Sequence, residues 1–246
     1  MKLHFLGTAG YHPSETRHTS CLMLPEVGVV LDAGSGMFRV RERLATDTLD
    51  IFLSHVHLDH VWGVSFLFDI LYGKKMAGVR IHAEAEKLAA LQTHLLAEIL
   101  FPAQLPFEPR PLDGPVPLRD GGRLTHFPLD HPGGTVGFRL EWPGHSMAYI
   151  TDTTARADAP YVKQVRGVDL LVHECNFPDG SEEWAEKTGH SCLKSVLELA
   201  KAAGVKRLVL THIDPLIADD DPLRLAESRH LFPRTEIAQD LMEVEF

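Results

Sequence analysis

The residues best suited to chemistry in this chain are His55-Val56-His57-Leu58-Asp59-His60, which set four potential metal ligands within six positions. His55 and His57 stand two residues apart, just beyond the apolar run Ile51-Phe52-Leu53-Ser54. Extended backbone there would turn both imidazoles to one face, where they can share a metal. Asp59 and His60 then turn away and can reach a second metal nearby. Imidazole and carboxylate donors suit zinc, manganese or iron, and no cysteine stands among them to favour a thiolate site. A histidine-rich surface loop is the plain alternative. It fits poorly with an apolar strand that runs straight into the cluster.

Other candidates stand where further strands are expected to end. They are His131 in Leu129-Asp130-His131-Pro132-Gly133-Gly134, Asp152 in Thr151-Asp152-Thr153, and His212 in Leu210-Thr211-His212. Ligands gathered at one end of a layered sheet can converge, and loops of this kind often carry function. Singly, each is as readily an ordinary loop residue. Beside the hexapeptide they become a set. Two more segments hold polar groups at element ends, His173-Glu174-Cys175-Asn176-Phe177 and Gly189-His190-Ser191-Cys192. The simplest reading of the second is a helix start with Ser191 as cap. Arg17 and His18, in the loop 10–19, are either phosphate contacts or surface residues, and His4, His82, His94, His145 and His230 have no partner pattern.

The elements that must position these groups follow from apolar runs and turn residues. Strands are expected at 3–6, 21–24, 27–31, 51–54, 79–82, 123–127, 135–142, 146–150, 169–172, 207–210 and 241–245. Helices are expected at 61–71, 84–100 and 191–203, with a short one after Pro222. Six prolines between 101 and 117 (Pro102, Pro106, Pro109, Pro111, Pro115, Pro117) require loop or extended chain, either a lid or a surface connection. Strands mixed with helices throughout indicate an α/β layered domain.

Composition narrows the class. With 246 residues, 44% hydrophobic and 24% charged, the chain reads as a single globular domain with a substantial core. No apolar run is long enough to span a membrane and no signal-peptide pattern opens the chain, so the expected compartment is the cytoplasm. Three widely separated cysteines, Cys21, Cys175 and Cys192, exclude a disulfide framework and a Cys-rich zinc site. A net charge of −10 weighs against a surface that binds nucleic acid throughout. Arg39-Arg41-Arg43 and Lys74-Lys75 are read as solvated faces.

On the motifs Leu6-Gly7-Thr8, Asp32-Ala33-Gly34, residues 54–60, His131, Asp152, Glu174, His190 and His212, the sequence resembles the metallo-β-lactamase superfamily. The later motifs place the resemblance in the ribonuclease Z-like branch, and together the motifs span nearly the whole chain. The resemblance implies a four-layer αββα sandwich, one hydrolase domain over 1–246, and two divalent metal ions, zinc first. It puts His55, His57 and His131 on one metal and Asp59, His60 and His212 on the other, with Asp152 bridging. Asp32 would support the ligands from behind, fixing imidazole orientation. His126 rivals His131 for its place, and His131 is preferred because Gly137-Phe138-Arg139 follows at the family's spacing. Glu174 would orient and charge His190, which would serve the phosphate or leaving group. A hydroxide held by the two metals would attack phosphorus, with Asp59 orienting it or accepting its proton.

Two departures bear on the substrate. The tRNA-processing members often have a threonine-bearing glutamate segment, where this chain has Cys175-Asn176. They also carry a Gly-rich basic arm, and the stretch 152–169 is too short to hold one. With the acidic charge, this directs the expectation to a phosphodiesterase acting on a small phosphodiester or nucleotide-like molecule. The alternative is a tRNA 3′-processing endoribonuclease, RNA being the disfavoured partner. Further rivals are ester, lactone, thioester or sulfate hydrolysis, di-iron oxygen chemistry, and a non-catalytic metal-binding protein. Binding alone needs no proton donor, so the Glu174 and His190 pair argues against the last. A membrane partner is not expected, and a homodimer stays open.

Overall fold

Strands of two to eight residues cannot each bury a core, so they gather into sheets and cover one face with helices. In the computed structural model, which describes residues 1–246, the chain forms two compact units. One comprises Met1–Gly114 and Asp240–Glu245, the other Pro115–Gln239 and Phe246. The first holds strands β1 (Lys2–Gly7), β2 (Cys21–Leu24), β3 (Val29–Leu31), β4 (Thr48–Phe52), β5 (Gly78–Ala83) and β6 (Glu108–Pro111). The second holds β7 (Val116–Pro117), β8 (Arg123–Leu129), β9 (Thr135–Trp142), β10 (His145–Ile150), β11 (Leu170–Glu174), β12 (Arg207–Thr211) and β13 (Thr235–Ile237). The last strand, β14 (Glu243–Glu245), returns to the first unit.

Each unit is thus one seven-stranded sheet, ordered β14-β1-β2-β3-β4-β5-β6 and β13-β12-β11-β10-β9-β8-β7. Both are mixed. β3, β4, β5 and β6 run parallel, as do β10, β11, β12 and β13. Parallel neighbours end together, so the residues just past β3 and β4, and just past β10, β11 and β12, share a sheet end. β6 lies at an edge, which is why it tolerates Pro109 and Pro111, residues without a backbone donor. The proline-rich stretch, expected as loop or extended chain, therefore contains an extended edge strand.

Helices cover these sheets: α1 (Val40–Arg43), α2 (Leu58–Val61), α3 (Leu67–Leu71) and α4 (Ala85–Ala90) in the first unit. The second unit has α5 (Glu182–Thr188), α6 (Leu193–Ala203) and α7 (Leu225–Ser228). Separate cores form within the units, one around Met37, Leu49, Ile51, Val64 and Ile81, the other around Ala148, Ile150, Leu171, Val196 and Leu210. On α6 the buried positions Val196, Leu197, Leu199, Ala200 and Ala203 recur at helical spacing. No helix is long and apolar enough to cross a membrane.

Two expected helices are interrupted. The run 61–71 is α2, a 3₁₀ segment (Trp62–Phe66) and α3. Gly63 is the cause: its N–H donates to Ala33 O at 2.7 Å, and an added Cβ would stand 2.3 Å from Gly34 O. That close approach takes the residue out of the helical ladder. The run 84–100 is helical only to Ala90, then widens into a π turn (Leu91–Leu95) closed by Leu96 N–H to Leu91 O at 3.0 Å. Pro102 then bars any extension. Short, polar α5 and the three-residue β13 carry too little apolar pattern to be foreseen.

Candidate metal centre

In the first unit, β3 and β4 end side by side and present Asp32 and Ser54 to each other. Both are buried. Asp32 Oδ1 accepts from Ser54 N–H at 2.7 Å, and Oδ2 accepts from the Ser54 hydroxyl at 2.9 Å and from His60 Nδ1 at 2.8 Å. Because Ser54 has spent its proton on Asp32, its oxygen receives His55 Nδ1–H at 3.0 Å. One carboxylate therefore fixes the tautomer of two imidazoles, leaving Nε2 of His55 and of His60 as lone-pair donors. The rings of His57 and His60 lie 4.5 and 4.3 Å from that of His55. Asp59 Oδ2 lies 3.3 Å from His60 Nε2 and accepts the backbone N–H of Tyr11 at 2.9 Å. Asp32 holds a left-handed φ of 58°, a conformation that costs energy outside glycine and that the surrounding hydrogen bonds maintain.

In the second unit, β10, β11 and β12 run parallel and in register, and their ends deliver Asp152, Glu174 and His212. β9 runs antiparallel to both β8 and β10, so the β8–β9 loop with His131 reaches the same sheet end. Asp152 is buried and divides its oxygens: Oδ2 lies 3.6 Å from His131 Nε2 and Oδ1 lies 3.2 Å from His212 Nε2. His131 Nδ1–H is committed to Gly189 O at 2.9 Å, and Asn176 Nδ2 lies 3.4 Å from His212 Nδ1. Asp152 (φ 32°) and His212 (φ 59°) also hold left-handed backbone. His126 sits on β8, where alternation sends Phe127 and Leu129 into the core and His126 to the other face.

The donor chemistry within each unit fits a divalent cation. With Nδ1–H bonded elsewhere, the Nε2 lone pairs of His60 and His131 point at carboxylate oxygens. Two acceptors facing each other repel, and a cation ligated by both reverses the sign. Hard carboxylate with borderline imidazole is the donor set of zinc, manganese and iron sites. The cysteines take no part. Burial raises the Cys21 and Cys175 thiols well above their ordinary range and pushes Cys192 up to about 11, so none is a thiolate at neutral pH.

Beside His131, Asp152 and His212 stand Glu174 and His190. Glu174 is buried, with Oε1 3.7 Å from His190 Nδ1 and 3.3 Å from the Thr153 N–H, and Oε2 accepting Asn176 N–H at 3.1 Å. The His190 ring stacks on His212 at 5.1 Å and tilts toward His131 at 5.2 Å. Ser191 is not a helix cap: Cys192 occupies that place, and the Ser191 hydroxyl donates to Thr153 O at 2.6 Å. Arg17 binds the Thr8 hydroxyl at 2.7 Å, which in turn donates to Asp240 at 2.7 Å, and Asp240 also accepts the His18 N–H at 2.8 Å. Sequence reasoning missed Asn176, Thr153 and the Gly189 carbonyl. Only Asn176 carried a signal, standing two residues past Glu174.

Gly189 supports a prediction. Its φ is +75°, and an added Cβ would meet His131 Nδ1 at 2.7 Å and Pro132 Cδ at 2.6 Å. Gly189→Ala is expected to lower stability by about 1–3 kcal/mol and to reduce bound metal by displacing His131. Urea denaturation with metal analysis checks this. An unchanged midpoint at full metal content would remove the steric argument.

Known proteins share this architecture. The model of the Beta-lactamase superfamily domain matches residues 28–213. Ribonuclease Z of Methanosarcina acetivorans is 28% identical over 309 positions, which cover 100% of this chain and 98% of that protein. The metallo-beta-lactamase fold protein YhfI from Bacillus subtilis superposes with a TM-score of 0.82 at 22% identity, over 99% of each chain. Human tRNase Z, short form, superposes with a TM-score of 0.78 at 23% identity, over 100% of this chain and 99% of that one. These likenesses give the chain the metallo-β-lactamase fold, the α/β class expected from its sequence.

Proposed function

The chain belongs to the beta-lactamase superfamily and has its hydrolase fold, and on that footing we propose that it hydrolyses RNA phosphodiester bonds as a ribonuclease Z-like endonuclease. The observation that carries phosphodiester chemistry is the buried Glu174 carboxylate facing His190 Nδ1 at 3.7 Å, with the His190 ring stacked on His212. A leaving alkoxide needs a proton, and this pair can supply one. RNA as substrate is supported by the full-length likeness to ribonuclease Z, which outweighs the expectation of a small phosphodiester.

By the family likeness, His55, His57, Asp59 and His60 of the first unit and His131, Asp152 and His212 of the second would be the ligands of divalent metal. Divalent ions bound there would activate water and neutralise charge on the phosphoryl oxygens. Asp32 keeps His55 and His60 in the tautomers that present Nε2. Asp59, held by the Tyr11 N–H, would accept the proton of the attacking water. With Nδ1 turned to Glu174, His190 would present Nε2–H to the leaving oxygen.

A second reading keeps the chemistry and shrinks the substrate. The alignment to the archaeal ribonuclease Z spans 309 positions and this chain has 246 residues, so 63 positions have no residue here. Together with a net charge of −10, that leaves less surface for gripping a folded RNA. The test is cleavage of a 3′-extended tRNA precursor beside hydrolysis of bis-p-nitrophenyl phosphate, a lactone and a sulfate, by the zinc- or manganese-loaded chain. Cleavage at the 3′ side of the acceptor stem is the expected result. Turnover of the small diester with intact RNA would transfer the assignment to the second reading. Turnover of the lactone or sulfate alone would overturn both.

A further inference from the structure

We infer that Thr153 and Ser191 form a brace that sets His131, Asp152, Glu174 and His190 against one another, which makes both positioning residues. The inference rests on the ligand and proton-donor roles proposed above. Those four residues arrive on four separate segments, Glu174 at the end of β11 and the other three on loops, and loops left to themselves wander. Ligands must be held far more tightly than a free loop allows.

Thr153 is buried directly after Asp152 and bonds to three of these segments. Its hydroxyl donates to Asp130 O at 3.2 Å, the residue before His131. Its N–H donates to Glu174 Oε1 at 3.3 Å. Its carbonyl accepts the Ser191 hydroxyl at 2.6 Å, the residue after His190. Ser191 is also buried, and its oxygen accepts the Ala155 N–H at 3.0 Å, which clamps the strand-end turn from its far side. A shift of the Asp152 loop would therefore draw the other three with it. Neither side chain touches a ligand nitrogen or oxygen, so their effect passes through the backbone that carries the ligands. Side chains that orient metal ligands from behind commonly account for about 10–100-fold in affinity or activity.

The hydroxyls can be removed with little change of shape. Thr153→Val keeps the branched volume and deletes the donor, Thr153→Ser keeps the donor, and Ser191→Ala breaks the second tie. The full chain is titrated with zinc against a fluorescent chelator, and kcat and KM are read on bis-p-nitrophenyl phosphate. Thr153→Val is expected to weaken zinc binding about 10–100-fold, and Ser191→Ala to lower kcat by about 10-fold or more at unchanged KM. Thr153→Ser should restore wild-type zinc affinity. The inference is overturned if Thr153→Val and Ser191→Ala both keep zinc affinity and kcat within about twofold of wild type. It is equally overturned if Thr153→Ser is as impaired as Thr153→Val, since the hydroxyl would then not be the cause. Should Thr153→Val fail to fold, Ser191→Ala decides by the same thresholds. A wild-type chain that binds zinc but cleaves no phosphodiester would end the substrate reading, while the expected zinc affinities of the variants would still support the brace.

Discussion

Asp152→Asn is expected to release both metals and reduce hydrolysis to background. Its two oxygens address different imidazoles, His131 Nε2 at 3.6 Å and His212 Nε2 at 3.2 Å, so its charge would help to hold any divalent cation that these rings ligate. Asparagine keeps the shape but loses the negative charge, and it replaces one acceptor by an N–H donor. Around a pair of divalent ions that is the difference between attraction and repulsion. Charge stabilisation by bound metal is worth several kcal/mol, so kcat/KM should fall by about 10³-fold or more. Metal analysis after gel filtration, paired with diester hydrolysis, makes the measurement. Full metal content with activity near wild type would remove Asp152 from the centre.

His190→Ala should behave in the opposite way with respect to metal. Both ions stay bound while kcat falls by about 10²–10⁴-fold, the usual contribution of a placed proton donor. The geometry makes this a sharp test, because Glu174, His190 and His212 place donor atoms within 4.8 Å of one another and could themselves hold an ion. If metal is lost in the variant, His190 is a ligand and not a donor. Glu174→Gln gives the companion result. The buried carboxylate also accepts two backbone N–H groups, from Thr153 and Asn176, so its loss should lower both turnover and stability. A leaving group that is already a good anion, such as p-nitrophenolate, should suffer less from either change than an RNA alkoxide. Equal losses on the two substrates would count against proton donation.

How much of this was legible along the chain depends on the range of the forces involved. His55 to His60 could be nominated as ligands because their relation is local: a strand end, a two-residue spacing and a turn all lie within one short segment. The strands β1, β2, β5, β8, β9 and β10 were legible for the same reason, since alternation and apolar runs act over a few residues. His131, Asp152 and His212 could be named singly, but no spacing relates them. What places Asp152 between two imidazoles is the parallel register of β10, β11 and β12, which hydrogen bonds between distant segments impose.

The failures have the same origin. The expected helix 61–71 breaks at Gly63 because of a backbone contact with Ala33 and Gly34, some thirty residues away in sequence. Ser191 reads as a cap from its neighbours, yet bonds to Thr153 across the fold. Asn176 reads as a departure from a family pattern, yet stands against His212. Residue type and local spacing thus settle which groups are able to bind metal, since ligand chemistry belongs to the side chain itself. Which tautomer each imidazole holds, which carboxylate oxygen it faces and which hydroxyl steadies its loop belong to the folded chain. Those relations depend on partners that meet only after folding.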